Sequence, residues 1–170
     1  QSKKEKQIHM DSDLTLDFII IIALIVANGL FSMTELAIVN ARKRKLEEMA
    51  KDGNERAKKA FELAENPNQM FSTIQIGITL VGILTGLYSG ATFSGPLEEV
   101  LVSAFPSMAT YAASASSFII VAIITYLSLV IGELVPKRLA LNSPESIAVL
   151  VAKPIYWLSV SLKPIVVFLG

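Results

Sequence analysis

Three stretches of this chain are each long and apolar enough to cross a lipid bilayer, and that alone removes most folds from consideration. A hydrocarbon core about 30 Å thick asks for about 20 predominantly apolar helical residues. The stretches at about 14–40, 70–93 and 111–132 all meet that length. With 170 residues, 52% of them hydrophobic, and a mean hydropathy of +0.55, the chain is too apolar for a water-soluble domain of its size. In lipid the backbone must satisfy its own hydrogen bonds, so the predicted fold is all-α integral membrane, with three transmembrane helices in one domain. The first stretch is too long for a cleaved signal peptide, and acidic residues precede it.

The charges orient the spans. Net charge is zero, 15 basic against 15 acidic, which points to no nucleic-acid partner, but the charges are clustered. Arg42, Lys43, Arg44 and Lys45 follow the first stretch, and Lys51, Arg56, Lys58 and Lys59 continue among Glu47, Glu48, Glu55 and Glu62. Segment 41–69 therefore reads as a cytoplasmic helical loop by the positive-inside rule. The connection at 94–110 carries Glu98 and Glu99 and no basic residue, while Lys137 and Arg138 follow the third stretch. The expectation is a multi-pass protein of the cell membrane, amino terminus outside and carboxyl terminus in the cytoplasm. Residues 1–13 read as a leader or tag remnant. The tail at 144–170 is apolar but interrupted by Lys153, Pro154, Lys163 and Pro164, which predicts kinked juxtamembrane helices at the cytoplasmic interface, anchored by Tyr156 and Trp157. Ending in apolar sequence, the chain reads as a piece of a longer protein.

Chemistry is bounded by what is absent. There is no cysteine, and the single histidine, His9, precedes the first stretch, so thiolate or histidine metal sites and cysteine or Ser-His-Asp nucleophiles within the spans are excluded. No enzyme is expected.

The polar residues inside the spans fall at one height. Asn28, Ser32, Thr34 and Glu35 sit in the last third of the first span, Ser72, Thr73, Gln75 and Thr79 in the first third of the second, and Thr125, Ser128 and Glu133 at the end of the third. With the orientation above, all lie in the cytoplasmic leaflet. Asn28, Ser32 and Glu35, at i, i+4 and i+7, share a helical face. Such oxygen donors suit Mg²⁺, Ca²⁺ or Na⁺, and an intramembrane carboxylate marks an ion pathway by default. Gly132 and Pro136 flank Glu133 and predict a broken helix that bares carbonyl ligands. The alternative for Glu35 and Glu133 is pairing with a nearby Lys or Arg. Gly82, Gly86 and Gly90 form a small-residue stripe that serves packing within the bundle or across a dimer.

Three ordered motifs carry a resemblance: Phe31-Ser32-Met33-Thr34-Glu35-Leu36-Ala37, Ser72-Thr73-Ile74-Gln75-Ile76-Gly77, and Gly132-Glu133-Leu134-Val135-Pro136-Lys137. Together they resemble the transmembrane domain of the CNNM/CorC family of magnesium transporters and haemolysin-like membrane proteins, over nearly the whole of 14–170. The resemblance implies a homodimer and cytoplasmic CBS and CorC modules, which are absent from these residues. It also implies Mg²⁺ export, with Na⁺ exchange proposed as the driving force, and Ser32 and Glu133 as ligands of a dehydrated ion in an inward-facing cavity with span-two residues completing the shell. One departure stands out: Ile78 follows Gly77 where many members carry a ligating Asn. The site would then be rebuilt from Thr79, Gln75, Ser72 or Asn28, with Gly132 and Glu35 nearby. The alternative function is a membrane anchor or ion sensor that sets the state of the CBS modules without transport.

Overall fold

A computed structural model of the protein describes residues 2–169, with side chains described over 14–164. The leader reading of 1–13, His9 included, thus concerns side chains outside the described residues, as do Gln1 and Gly170. Among the described residues the structure is helical throughout, without a strand. The helices are α1 (Ser2–Asn40), α2 (Lys43–Lys51), α3 (Glu55–Glu65), α4 (Pro67–Ala104), α5 (Ala109–Leu129), α6 (Val135–Asn142) and α7 (Pro144–Leu169). A short 3₁₀ turn, Pro106–Met108, joins α4 to α5, and a π-helical turn, Val130–Leu134, joins α5 to α6.

Four segments, not three, are long and apolar enough to cross a membrane: Leu14–Asn40, Pro67–Ala104, Pro106–Asn142 and Pro144–Pro164. The tail differs most from expectation. Pro154 and Pro164 lie inside one continuous helix instead of dividing it. The second and third segments also run beyond the limits expected for them. α4 passes through Gly95 and Pro96 to Ala104, so most of the predicted connection is helix and the true link is the turn at Pro106.

Local chemistry explains the small elements. Gly53 adopts φ 90°, a left-handed conformation, and turns α2 into α3. Asn54 then caps α3, its side-chain oxygen accepting from the backbone N–H of Arg56 and Ala57 at 3.0 and 3.1 Å.

The core gathers at the end of the bundle that carries this basic hairpin. Ala37 and Ile38 of α1, Leu46 of α2, Ala60 and Leu63 of α3, Met70 and Ile74 of α4, Ala140 of α6, and Ala148, Val151, Ala152 and Ile155 of α7 form one buried cluster. Its many alanines let six helices approach closely, which packing in lipid requires because burial from lipid brings no hydrophobic gain. Away from it, Phe18, Ile19, Leu84, Leu87, Phe118 and Val121 are exposed, as an apolar jacket facing acyl chains would be.

Polar contacts at two points along α7, Glu145 and Ser159, tie it to the hairpin end. The buried Glu145 accepts from Arg42 Nε at 2.8 Å and lies 3.6 Å from Lys45 Nζ, and this bond raises the Arg42 guanidinium above its ordinary pKa. Fourteen residues later, Gln69 Nε2 donates to the Ser159 carbonyl at 3.3 Å. Arg42 follows the last turn of α1 and Gln69 lies in the first turn of α4, so both contacts sit at the hairpin end although the helix advances about 21 Å between them.

Candidate cation site

α1 and the π turn meet through two glycines. A Cβ on Gly29 would lie 2.9 Å from Pro136 Cγ and 3.2 Å from the Ile131 carbonyl, and one on Gly132 would lie 3.2 Å from both Asn28 Nδ2 and the Ile25 carbonyl. Backbone thus nearly touches backbone. The predicted break at Gly132 and Pro136 takes the form of a widened turn within a continuous helical path from Ala109 to Asn142. Pro136, which has no N–H to donate, is buried just beyond it.

Asn28 stands at this contact. Its Nδ2 donates to the Gly132 carbonyl at 3.3 Å, while its Oδ1 is buried and without a hydrogen-bond partner. Beside it lies a cavity of about 210 Å³, lined by Asn28 of α1, Gly82, Thr85 and Gly86 of α4, Thr125 and Ser128 of α5, and Glu133 of the π turn, with Ile124 and Leu129 as its apolar wall. The Thr85 hydroxyl donates to its own helix at Val81, so its lone pairs remain available to a guest. Glu133 Oε1 accepts from Lys137 Nζ at 2.6 Å, one helical turn on. Among the described residues no three His, Cys, Asp or Glu side chains gather as a metal cluster. Any cation held here meets one carboxylate and several neutral oxygens.

The other expected ligands lie elsewhere. Ser32 is buried but does not line the cavity, and Glu35 is half-buried outside it. On α4, Gln75 and Thr79 are exposed, and Ser72 donates to the Asn68 carbonyl. The α4 face turned inward at that height carries Thr73, Ile74 and Gly77, with the Phe31 ring pressed against Gly77 and Ile78 packed on the core. Thr85 has no part in the sequence reading; its signal was a hydroxyl between Gly82 and Gly86 on an otherwise aliphatic stripe. Asp17 was also passed over. It lies inside the first span, where Tyr88 OH donates to its Oδ1 at 2.5 Å, bracing α1 against α4.

The sequence profile of the cyclin M transmembrane N-terminal domain matches residues 19–170. The chain belongs to this CNNM family. Among similar proteins, the UPF0053 protein sll0260 of Synechocystis is 50% identical over 94% of the chain and 35% of its own length. UPF0053 protein YrkA of Bacillus subtilis is 34% identical over 92% of the chain and 36% of its own length. The polyamine export protein of Escherichia coli K12 is 31% identical over 88% of the chain and 33% of its own length. This CNNM domain thus spans about a third of the relatives it matches. It is a multi-pass membrane domain of a transporter-type family.

Proposed function

We propose that the domain carries a cation across the membrane and that Mg²⁺ is the cargo, admitted from the cytoplasmic side to the cavity between Asn28 and Glu133. The observation that carries this reading is the buried, unpartnered Asn28 Oδ1 beside a carboxylate and three hydroxyls. A buried acceptor left unpaired costs about 1–3 kcal/mol, a cost that a cationic guest removes. A cavity of about 210 Å³ has room for several waters. Mg²⁺ sheds water reluctantly, and one carboxylate half-compensates its charge, so the ion keeps most of its shell here instead of losing it to Ser32. Na⁺ entering in exchange is the coupling ion in this reading.

In the same reading α1, α4 and the path from α5 through α6 cross the membrane, with the hairpin and the carboxyl end in the cytoplasm. α7 lies along the cytoplasmic interface, because Glu145 and Ser159 meet the same end of the bundle. A Cβ added at Gly82, Gly86 or Gly90 of α4 would meet nothing within 4 Å, so this small-residue stripe, two of whose glycines also border the cavity, leaves room for a homodimer contact, and the relatives' remaining length suits CBS modules.

A second cargo is favoured by one observation: relatives about 30% identical are named polyamine export proteins. A primary ammonium finds the same acceptors in the cavity. Proteoliposomes loaded with Mg²⁺ or with spermidine separate the two. The expected result is Mg²⁺ flux that Glu133→Gln abolishes while the protein stays folded. Flux of spermidine alone replaces the cargo, and binding without flux of either cation supports an anchor or sensor instead.

A further inference from the structure

The one carboxylate that lines the cavity is not bare. Lys137 Nζ sits 2.6 Å from Glu133 Oε1, and the two side chains are 35% and 40% exposed, so neither charge is fully hydrated. Glu before Lys at i, i+4 is the favourable order on a helix. An uncompensated carboxylate at this depth would be costly, and a charge-assisted bond of this length offsets that cost. Lysine is suited to a temporary partner. Its ammonium is a point charge on a flexible four-carbon stem that can withdraw toward water while its methylenes stay in lipid.

We propose that Lys137 is a resident counter-cation of the transport site: it neutralises Glu133 when the cavity holds no cargo, and the arriving cation displaces it. This rests on the reading of the cavity as a cation site. The carboxylate exchanges one cation for another and is never left alone, so filling and emptying both avoid an unpaired, half-hydrated charge. The cost is affinity, since cargo must compete with a tethered ammonium whose effective concentration is high. Lys137 is therefore a residue that sets affinity and eases release, not a ligand.

The test uses the full-length protein in nanodiscs, titrated calorimetrically with Mg²⁺ and, in a second arm, with spermidine. For whichever cation binds, Lys137→Met is expected to tighten the Kd by roughly tenfold, the order of a partly desolvated ion pair, whereas Lys137→Arg stays within about twofold of the parent. A second measurement needs no variant. Reductive methylation of Lys137, followed by mass spectrometry, is expected to quicken on adding the cation, with half-effect at the same concentration as binding. Unchanged or weaker binding by Lys137→Met, or a labelling rate indifferent to the cation, overturns the proposal if Glu133→Gln still loses binding. Binding that survives Glu133→Gln overturns the site reading and this inference with it.

Discussion

Replacing Asn28 with Leu should separate stability from function. Asn28 makes one polar contact, to the Gly132 carbonyl at 3.3 Å, the long end of the range for N–H donors, worth about 0.5 kcal/mol. Against this stands its own Oδ1, buried and unpaired, at about 1–3 kcal/mol. Leucine removes both, and the adjoining 210 Å³ cavity receives its extra bulk without overpacking. Allowing a further ~0.5 kcal/mol for the carbonyl left at Gly132, the balance is a gain of about 1 kcal/mol, or about 2 to 4 °C in Tm for a domain of this size. Circular dichroism melts in nanodiscs measure it, alongside cation flux in proteoliposomes. The expected pair of results is a raised Tm and lost flux. A lowered Tm with flux retained would refute the reasoning, because it would mean that Asn28 is a satisfied packing residue and not an acceptor held open for cargo.

Two other perturbations probe the frame. Gly77→Ala places a Cβ 2.6 Å from Phe31 Cζ and should cost about 1–3 kcal/mol, and adding Phe31→Ala should return part of it; strictly additive losses in a double-mutant cycle would show that the ring is not the obstacle. Glu145→Ala removes the acceptor shared by Arg42 and Lys45, whose side chains are 74% and 49% exposed and simply return to water, so its stability cost is modest, about 1–2 kcal/mol. The expected signature is faster tryptic cleavage between α1 and α2; a cleavage rate equal to the parent's would mean that the ion pair does not hold the hairpin to α7.

What the sequence could and could not convey follows from the physics of each signal. Apolar length announces helices in lipid, and the basic run at Arg42–Lys45 marks a loop without any packing information. The path through Gly95 and Pro96 was illegible because proline and a pair of glutamates read as a connection, whereas a helix leaving the apolar region can carry both into water. Continuity of α7 through Pro154 was missed for the same reason. At the site, counting residues suggests a height but leaves direction open. Gln75 and Thr79 are exposed and Ser72 bonds back to its own helix, while Thr73, Ile74 and Gly77 are the buried residues of that stretch of α4. Height in the membrane follows from counting residues, but which face meets a neighbour depends on packing partners that the count does not contain. Asn28 and Glu133 come together because glycines at 29 and 132 let two backbones nearly touch, and only three-dimensional contact reveals that.

The turn at Val130–Leu134 governs which oxygens share a wall. In an unbroken α-helix, Ser128 and Glu133 are five positions apart and would project about 140° from one another. The wider i to i+5 winding brings such a pair back into rough alignment, so hydroxyl and carboxylate border one hollow. The geometry therefore depends on the number of residues in that coil as much as on their identity, and shortening it by one would rotate Glu133 and Lys137 together out of line with Thr125 and Ser128.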